Sequence, residues 1–156
     1  MTELPSFSDT TANLGLPLLF AGQAQKEFCI NQSLAILDSA ITATVLDSGP
    51  VPPAAWNDGD MFRVTSDPAN GWEDQQDAIA IAVAGGWVFV RPRYGQRVFD
   101  QSADRLLIYR SEWSSADEPT PPEGGAVIDD QARAAILQII ELLRIGGFLP
   151  NNGDSL

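Results

Sequence analysis

Apolar residues follow two different spacings along this chain. Leu14, Leu16 and Leu18 alternate around Gly15 and Pro17, a spacing that predicts an extended N-terminal arm over residues 1–18. From about Gly22 to Val45 the period lengthens. Ile30, Leu34, Leu37 and Ile41 recur at steps of four, three and four, which places them on one helical stripe. Asn31 has the chemistry of an N-cap and would divide this region into a short and a longer helix. The stripe covers too few heptads for an autonomous coiled coil, so it reads as a helix face packed on a core, with an oligomer contact as the alternative. Pro50, Pro52 and Pro53 predict the helix's end, because proline removes a donor and blocks the preceding turn.

Beyond the prolines the period is that of strands. Phe62 and Val64 alternate with Met61, Arg63 and Thr65, and Ile79, Ile81 and Val83 alternate with alanines. Residues 78–84, Gly85-Gly86 and residues 87–90 predict a hairpin whose glycines supply the positive φ of a two-residue turn. Val98 and Phe99 begin a further strand, turned at 101–104 and returning over 105–110. The region 56–113 thus reads as a small antiparallel meander, with little room for parallel pairing.

Asp117 to Gly125 is charged and proline-rich and reads as a linker. After it Ile128, Ala132, Ile136, Ile139, Ile140 and Leu143 mark a second amphipathic helix, with acidic residues at its positive end and Arg144 at its negative end. Gly146-Gly147 followed by Phe148 and Pro150 is a stop signal, with Phe148 placed to fold back on the last turn. Leu137 and Leu142 lie off the main stripe, so this helix needs cover on more than one side. The expected fold is α+β: an arm (1–18), a helix with a small antiparallel sheet (19–113), a proline-rich linker (114–126) and a C-terminal amphipathic helix (127–149).

Charge and composition narrow the partners. The net charge of −12, with only nine Lys and Arg in 156 residues, argues against nucleic acid and anionic membrane surfaces. A single cysteine, Cys29, forms no intrachain disulfide and builds no cysteine zinc site. The N-terminus lacks a basic region followed by an apolar run, and no segment approaches a membrane span, so synthesis and residence in the cytoplasm are expected.

Without histidine, no imidazole triad or imidazole metal site can form. The acidic pairs fall in stretches that read as loops, so no enzymatic activity and no cofactor are expected. Calcium at the Asp67–Asp77 loop is the alternative, because hard cations accept clustered carboxylate and amide oxygens. Trp56, Trp72, Trp87 and Trp113 raise a carbohydrate reading. Trp87 follows a hairpin turn and alternates with Phe89, which places it in a core. Trp72, in the acidic loop, is the better surface ring, with Asp74 and Asp77 beside it to accept sugar hydroxyls.

Asn13 to Leu19, Gly22-Gln23-Ala24-Gln25-Lys26, Asn31-Gln32-Ser33-Leu34-Ala35 and Leu37-Asp38 resemble the opening of a domain, without assigned biochemical function, from spike and tail-fibre proteins of alphaproteobacterial phages and gene transfer agents. Residues 56–60, Gly71-Trp72, Gly86-Trp87, Pro92-Arg93-Tyr94-Gly95 and 106–113 are similar to that family's later motifs. Gln32 stands where the family more often has Glu.

The resemblance implies a particle component that holds or recognises something: a spike or fibre base that oligomerises, seats on capsid or tail proteins and carries a separate fibre. On that view it leaves the cytoplasm in the released particle. The alternative is a module contacting host surface polysaccharide. Gln23, Gln25, Lys26 and Asn31 are then interface residues or the wet face of the helix. Leu14, Leu16 and Leu18, together with Ile136, Ile139 and Leu143, are the apolar interface candidates.

Overall fold

The computed structural model describes residues 16–19, 22, 24, 26–121, 123–124 and 129–150. Its fold is α+β, with a helix near each end of the described chain and a β core between them. Helix α1 (Lys26–Thr42) is followed by β1 (Thr44–Val45), β2 (Asp47–Gly49), β3 (Met61–Val64), β4 (Ile79–Val83), β5 (Gly86–Val90), β6 (Arg97–Asp100), β7 (Arg105–Tyr109), β8 (Trp113–Ser114) and helix α2 (Asp130–Ile145). The strands form two four-stranded sheets, ordered β1-β6-β7-β8 and β2-β3-β4-β5.

The hairpins follow the period-two pattern. β4 and β5 pair antiparallel with Ile81 opposite Val88, and β6 and β7 pair with Val98 opposite Leu107. The β4–β5 turn is Ala84-Gly85 rather than Gly85-Gly86. Both residues take positive φ, 50° and 76°, as a type I′ turn requires, and Gly86 is already paired with Val83.

Each sheet also has an edge pair that the meander did not anticipate. β1 runs parallel to β6, and β2 runs parallel to β3. Residues 44–49 thus form one extended segment that leaves the first sheet and enters the second at Leu46, whose amide donates to the Met61 carbonyl at 2.8 Å. Pairing across these distances in sequence leaves no local signature, which is why an all-antiparallel sheet was the natural expectation.

α1 is one continuous helix with Asn31 inside it, not two helices capped there. It ends before the prolines. Ala43 takes φ 45°, and its amide closes the last turn on the Ser39 carbonyl at 2.9 Å.

The strands' alternation builds two cores. Met61, Ile79, Ile81 and Val88 from one sheet meet Val45, Val98 and Leu107 from the other, with Ile36 contributed by α1. On the opposite face of the second sheet, Phe62, Val64 and Ala80 pack with Trp72, flanked by Trp56, Trp87 and Phe89. Ala80 lies in register between Phe62 and Phe89, and its small side chain leaves room for the indoles.

α2 has the ends its sequence prescribes. The Asp129 carboxylate accepts from the Ala132 amide at 2.9 Å, and Gly147, at φ 71°, follows the C-cap Gly146. Phe148 folds back against Gly146, while Leu149 is fully buried. Gly147 sits against the Phe99 ring, and its carbonyl accepts from the Leu106 amide at 2.7 Å, so the end of α2 covers the outer face of the first sheet. Arg144 pairs with Glu118 in the segment that follows β8.

Candidate functional surfaces and a cleft

The stripe expected to bury α1 is its exposed side. Ile30, Leu34, Leu37 and Ile41 all face outward, Leu34 at 57% and Ile41 at 81% exposure. The helix instead packs through Cys29, Ile36 and Ser39, which lie about 140° around its axis from that stripe at ~100° per residue. Ser39 is tolerated inside because its hydroxyl donates to the Ala35 carbonyl at 2.7 Å. α1 therefore has two apolar faces, and the described chain covers one.

α2 is more open still. Of its residues only Ile140 is buried. Ile136, Ile139 and Leu143 are exposed, as are Leu137, Leu142 and Ile145, with Leu142 at 67%. Ala132, Ile136, Ile139 and Leu143 repeat the four-three-four spacing of the α1 stripe.

The polar candidates do not form one cluster. Lys26 and Asn31 are exposed on the first turns of α1, while Gln23, Gln25 and Leu14 lie outside the described residues. The arm divides. Leu16 packs against the protein's own core, and Pro17 is buried, with its carbonyl accepting from the Ser33 hydroxyl at 3.0 Å. Leu18 remains exposed. Leu16 thus makes a contact within its own domain.

Trp72 corrects the carbohydrate reading. Its ring is 1% exposed and meets Trp87 edge-on, with centroids 5.3 Å apart, so no face is open to a sugar. The loop that carries it is polar in sequence but turns inward through left-handed residues at Asn70, Gly71 and Asp74. Asp74 is exposed and Asp77 half-buried, without a surface aromatic ring from Trp72 beside them. Among the described residues no group of three or more acidic, cysteine or histidine side chains converges as a metal site.

Two features have no obvious mark in the sequence. One is a half-buried polar relay between the sheets: Arg63 Nε donates to Ser48 Oγ at 2.9 Å, and Ser48 Oγ donates to Asp100 Oδ2 at 2.7 Å. Asp100 Oδ1 also accepts from the Ser102 hydroxyl at 2.7 Å and the Ala103 amide at 3.1 Å. Burial alone would raise the Asp100 pKa. The bonds from Ser48, Ser102 and Ala103, with the nearby Arg63 charge, outweigh it and hold the carboxyl below its usual range. Burial lowers the Arg63 pKa, opposed by Asp100 and Asp77.

The other is a cleft of about 400 Å³ between the inner face of α1, both sheets and the 93–97 loop. Its walls are Ile36, Met61, Ile79, Ile81 and Val98, and its mouth carries Arg93, Tyr94 and Arg97. Because these residues come from α1, β3, β4, β6 and a loop, no local pattern announces the site.

Two mixed four-stranded sheets with a helix near each end, each helix exposing apolar residues, describe a small α+β domain. Residues 30–114, just over half of the 156-residue chain, match the family model described as "Protein of unknown function (DUF2793)", and the chain belongs to that family. The matched span takes in the α1 stripe, both sheets and the cleft, and stops before α2. Comparison with curated proteins gives no match. Among the described residues no helix is long and apolar enough to cross a membrane.

Proposed function

We propose that this chain is a structural subunit of a phage-like particle: the base or adaptor of a spike or fibre, of the kind found on gene transfer agents. It assembles with copies of itself, seats on capsid or tail proteins and holds a receptor-binding fibre. The carrying observation is the outward apolar stripe on each of the two helices. Monomeric proteins seldom expose contiguous apolar patches beyond a few hundred Å², and symmetric closure is the usual way to cover such a surface in a homo-oligomer.

The reading requires no catalysis, and the protein travels from the cytoplasm into the released particle. The resemblance of most of residues 13–113 to spike and tail-fibre domains supplies the particle context. A polysaccharide module is the weaker reading, since the ring that suggested it is enclosed in the core.

Solution mass tests the assembly. Sedimentation at micromolar concentration is expected to give a closed oligomer, and Ile136→Asp with Ile139→Asp is expected to give smaller species. A native-like monomer of the unaltered protein would refute self-assembly. Particles from a strain lacking the gene are expected to show no spikes or fibres by electron microscopy. Normally decorated particles would refute the adaptor role.

A further inference from the structure

The cleft beneath α1 has a chemistry that the assembly role does not use. Its wall residues Ile36, Met61, Ile79, Ile81 and Val98 are each 5% exposed or less, although the cleft opens to the surface at the 93–97 loop. These shielded side chains form the floor of the cleft, and its open surface lies toward the 93–97 loop. The polar groups within offer little to a peptide backbone. Ser39 Oγ is turned onto the Ala35 carbonyl, and Gln96 Oε1 accepts from the Arg93 amide at 2.9 Å. A polypeptide entering here would leave buried amides unpaired, which disfavours it.

The mouth is distinctive in charge. The whole chain carries 21 Asp and Glu against nine Lys and Arg, yet the lining includes Arg93 and Arg97 and no carboxylate among the described residues. The exposed Tyr94 hydroxyl stands beside them. An apolar cleft of this size with a few polar groups at its rim is the common form of a small-molecule site.

We infer that the cleft between α1 and the 93–97 loop binds a single-chain aliphatic carboxylate, its chain along Ile36, Met61 and Val98 and its head at Arg97 and Tyr94. This inference is independent of the proposed assembly, because neither helix stripe lines the cleft.

Titrating the full chain with decanoate below its micellar concentration, alongside decyltrimethylammonium and 1-decanol, tests it. Saturable binding of one decanoate per chain is expected. Met1 and Met61 are the only methionines. With methyl-labelled methionine, the Met61 signal is expected to shift as decanoate saturates and to give contacts to the ligand chain. Arg97→Glu is expected to weaken decanoate at least about threefold and to leave decanol unchanged. Ala40→Trp, a substitution at an exposed helix position lining the cleft, is expected to abolish binding with an unchanged circular dichroism spectrum. Ile136→Asp with Ile139→Asp is expected to retain decanoate, which separates the cleft from detergent-like binding on α2. Equal affinity for decyltrimethylammonium, an unmoved Met61 methyl at saturation, or no saturable binding would overturn the inference.

Discussion

Asp100 at the end of β6 holds three donors, one from β2 and two from the 101–104 turn, and so ties the two sheets together. It is 3% exposed, and Ser48, Ser102 and the Ala103 amide all aim at it. Asp100→Ala is expected to cost about 1–3 kcal/mol in urea denaturation, because the half-buried Ser48 hydroxyl and Ala103 amide lose their acceptor and Arg63 loses a facing charge. The carboxyl is depressed in the folded protein, so its stabilisation is complete above the unfolded aspartate pKa of ~3.9 and is lost as pH falls through the lower folded value. The gap between the parent and Asp100→Asn, measured as a function of pH, is therefore expected to close in acid. Trp72 makes a second case. As a core ring, Trp72→Ala is expected to lower stability by about 3–5 kcal/mol. A sugar-contact ring at the surface would have left the melting temperature nearly unchanged.

Among the elements, the β4–β5 turn gives the cleanest expectation. Ala84 occupies a left-handed position that disfavours a β-carbon, and Ala84→Asn, which makes the Asn-Gly pair preferred in type I′ turns, is expected to raise stability by about 0.5–1 kcal/mol in thermal melts. On α1 the two faces are expected to respond differently. Ile36→Ala should destabilise the fold by about 2–5 kcal/mol, whereas Leu34→Asp should leave the circular dichroism of the chain intact and reduce its mass in solution.

Much of this architecture is legible in the sequence where the cause is local. Asp129 and Gly146-Gly147 bracket α2, and the alternation around Ile79 to Phe89 and Val98 to Tyr109 gives both hairpins. The missing parts have non-local causes. Thr44 to Gly49 pairs with strands far along the chain. Nothing in the α1 period says whether Cys29 and Ile36 or Leu34 and Ile41 turn inward, because both sets are apolar. Trp72 sits among polar neighbours and is drawn inside by the handedness of Asn70, Gly71 and Asp74. The cleft, assembled from separate elements, has no sequence pattern at all.

At the scale of the whole molecule, charge opposes what the apolar faces favour. The chain carries −12, so copies brought together would repel one another, and salt screens that repulsion over about 8–10 Å at physiological strength. Self-association is therefore expected to tighten as sodium chloride rises from 20 to 200 mM, read by sedimentation equilibrium. A contact made by ion pairs would weaken over the same range. Under the proposed adaptor role, the segment at residues 44–49 acquires a mechanical meaning. Besides the packing of α1 through Ile36, a load on α1 passes along the chain at Thr44, which is laced into one sheet by β1 and, past Leu46, into the other by β2. Both attachments are parallel pairs, so tension directed along the segment would load two short rows of hydrogen bonds in shear. Such a pull would pass into both sheets through six residues of chain.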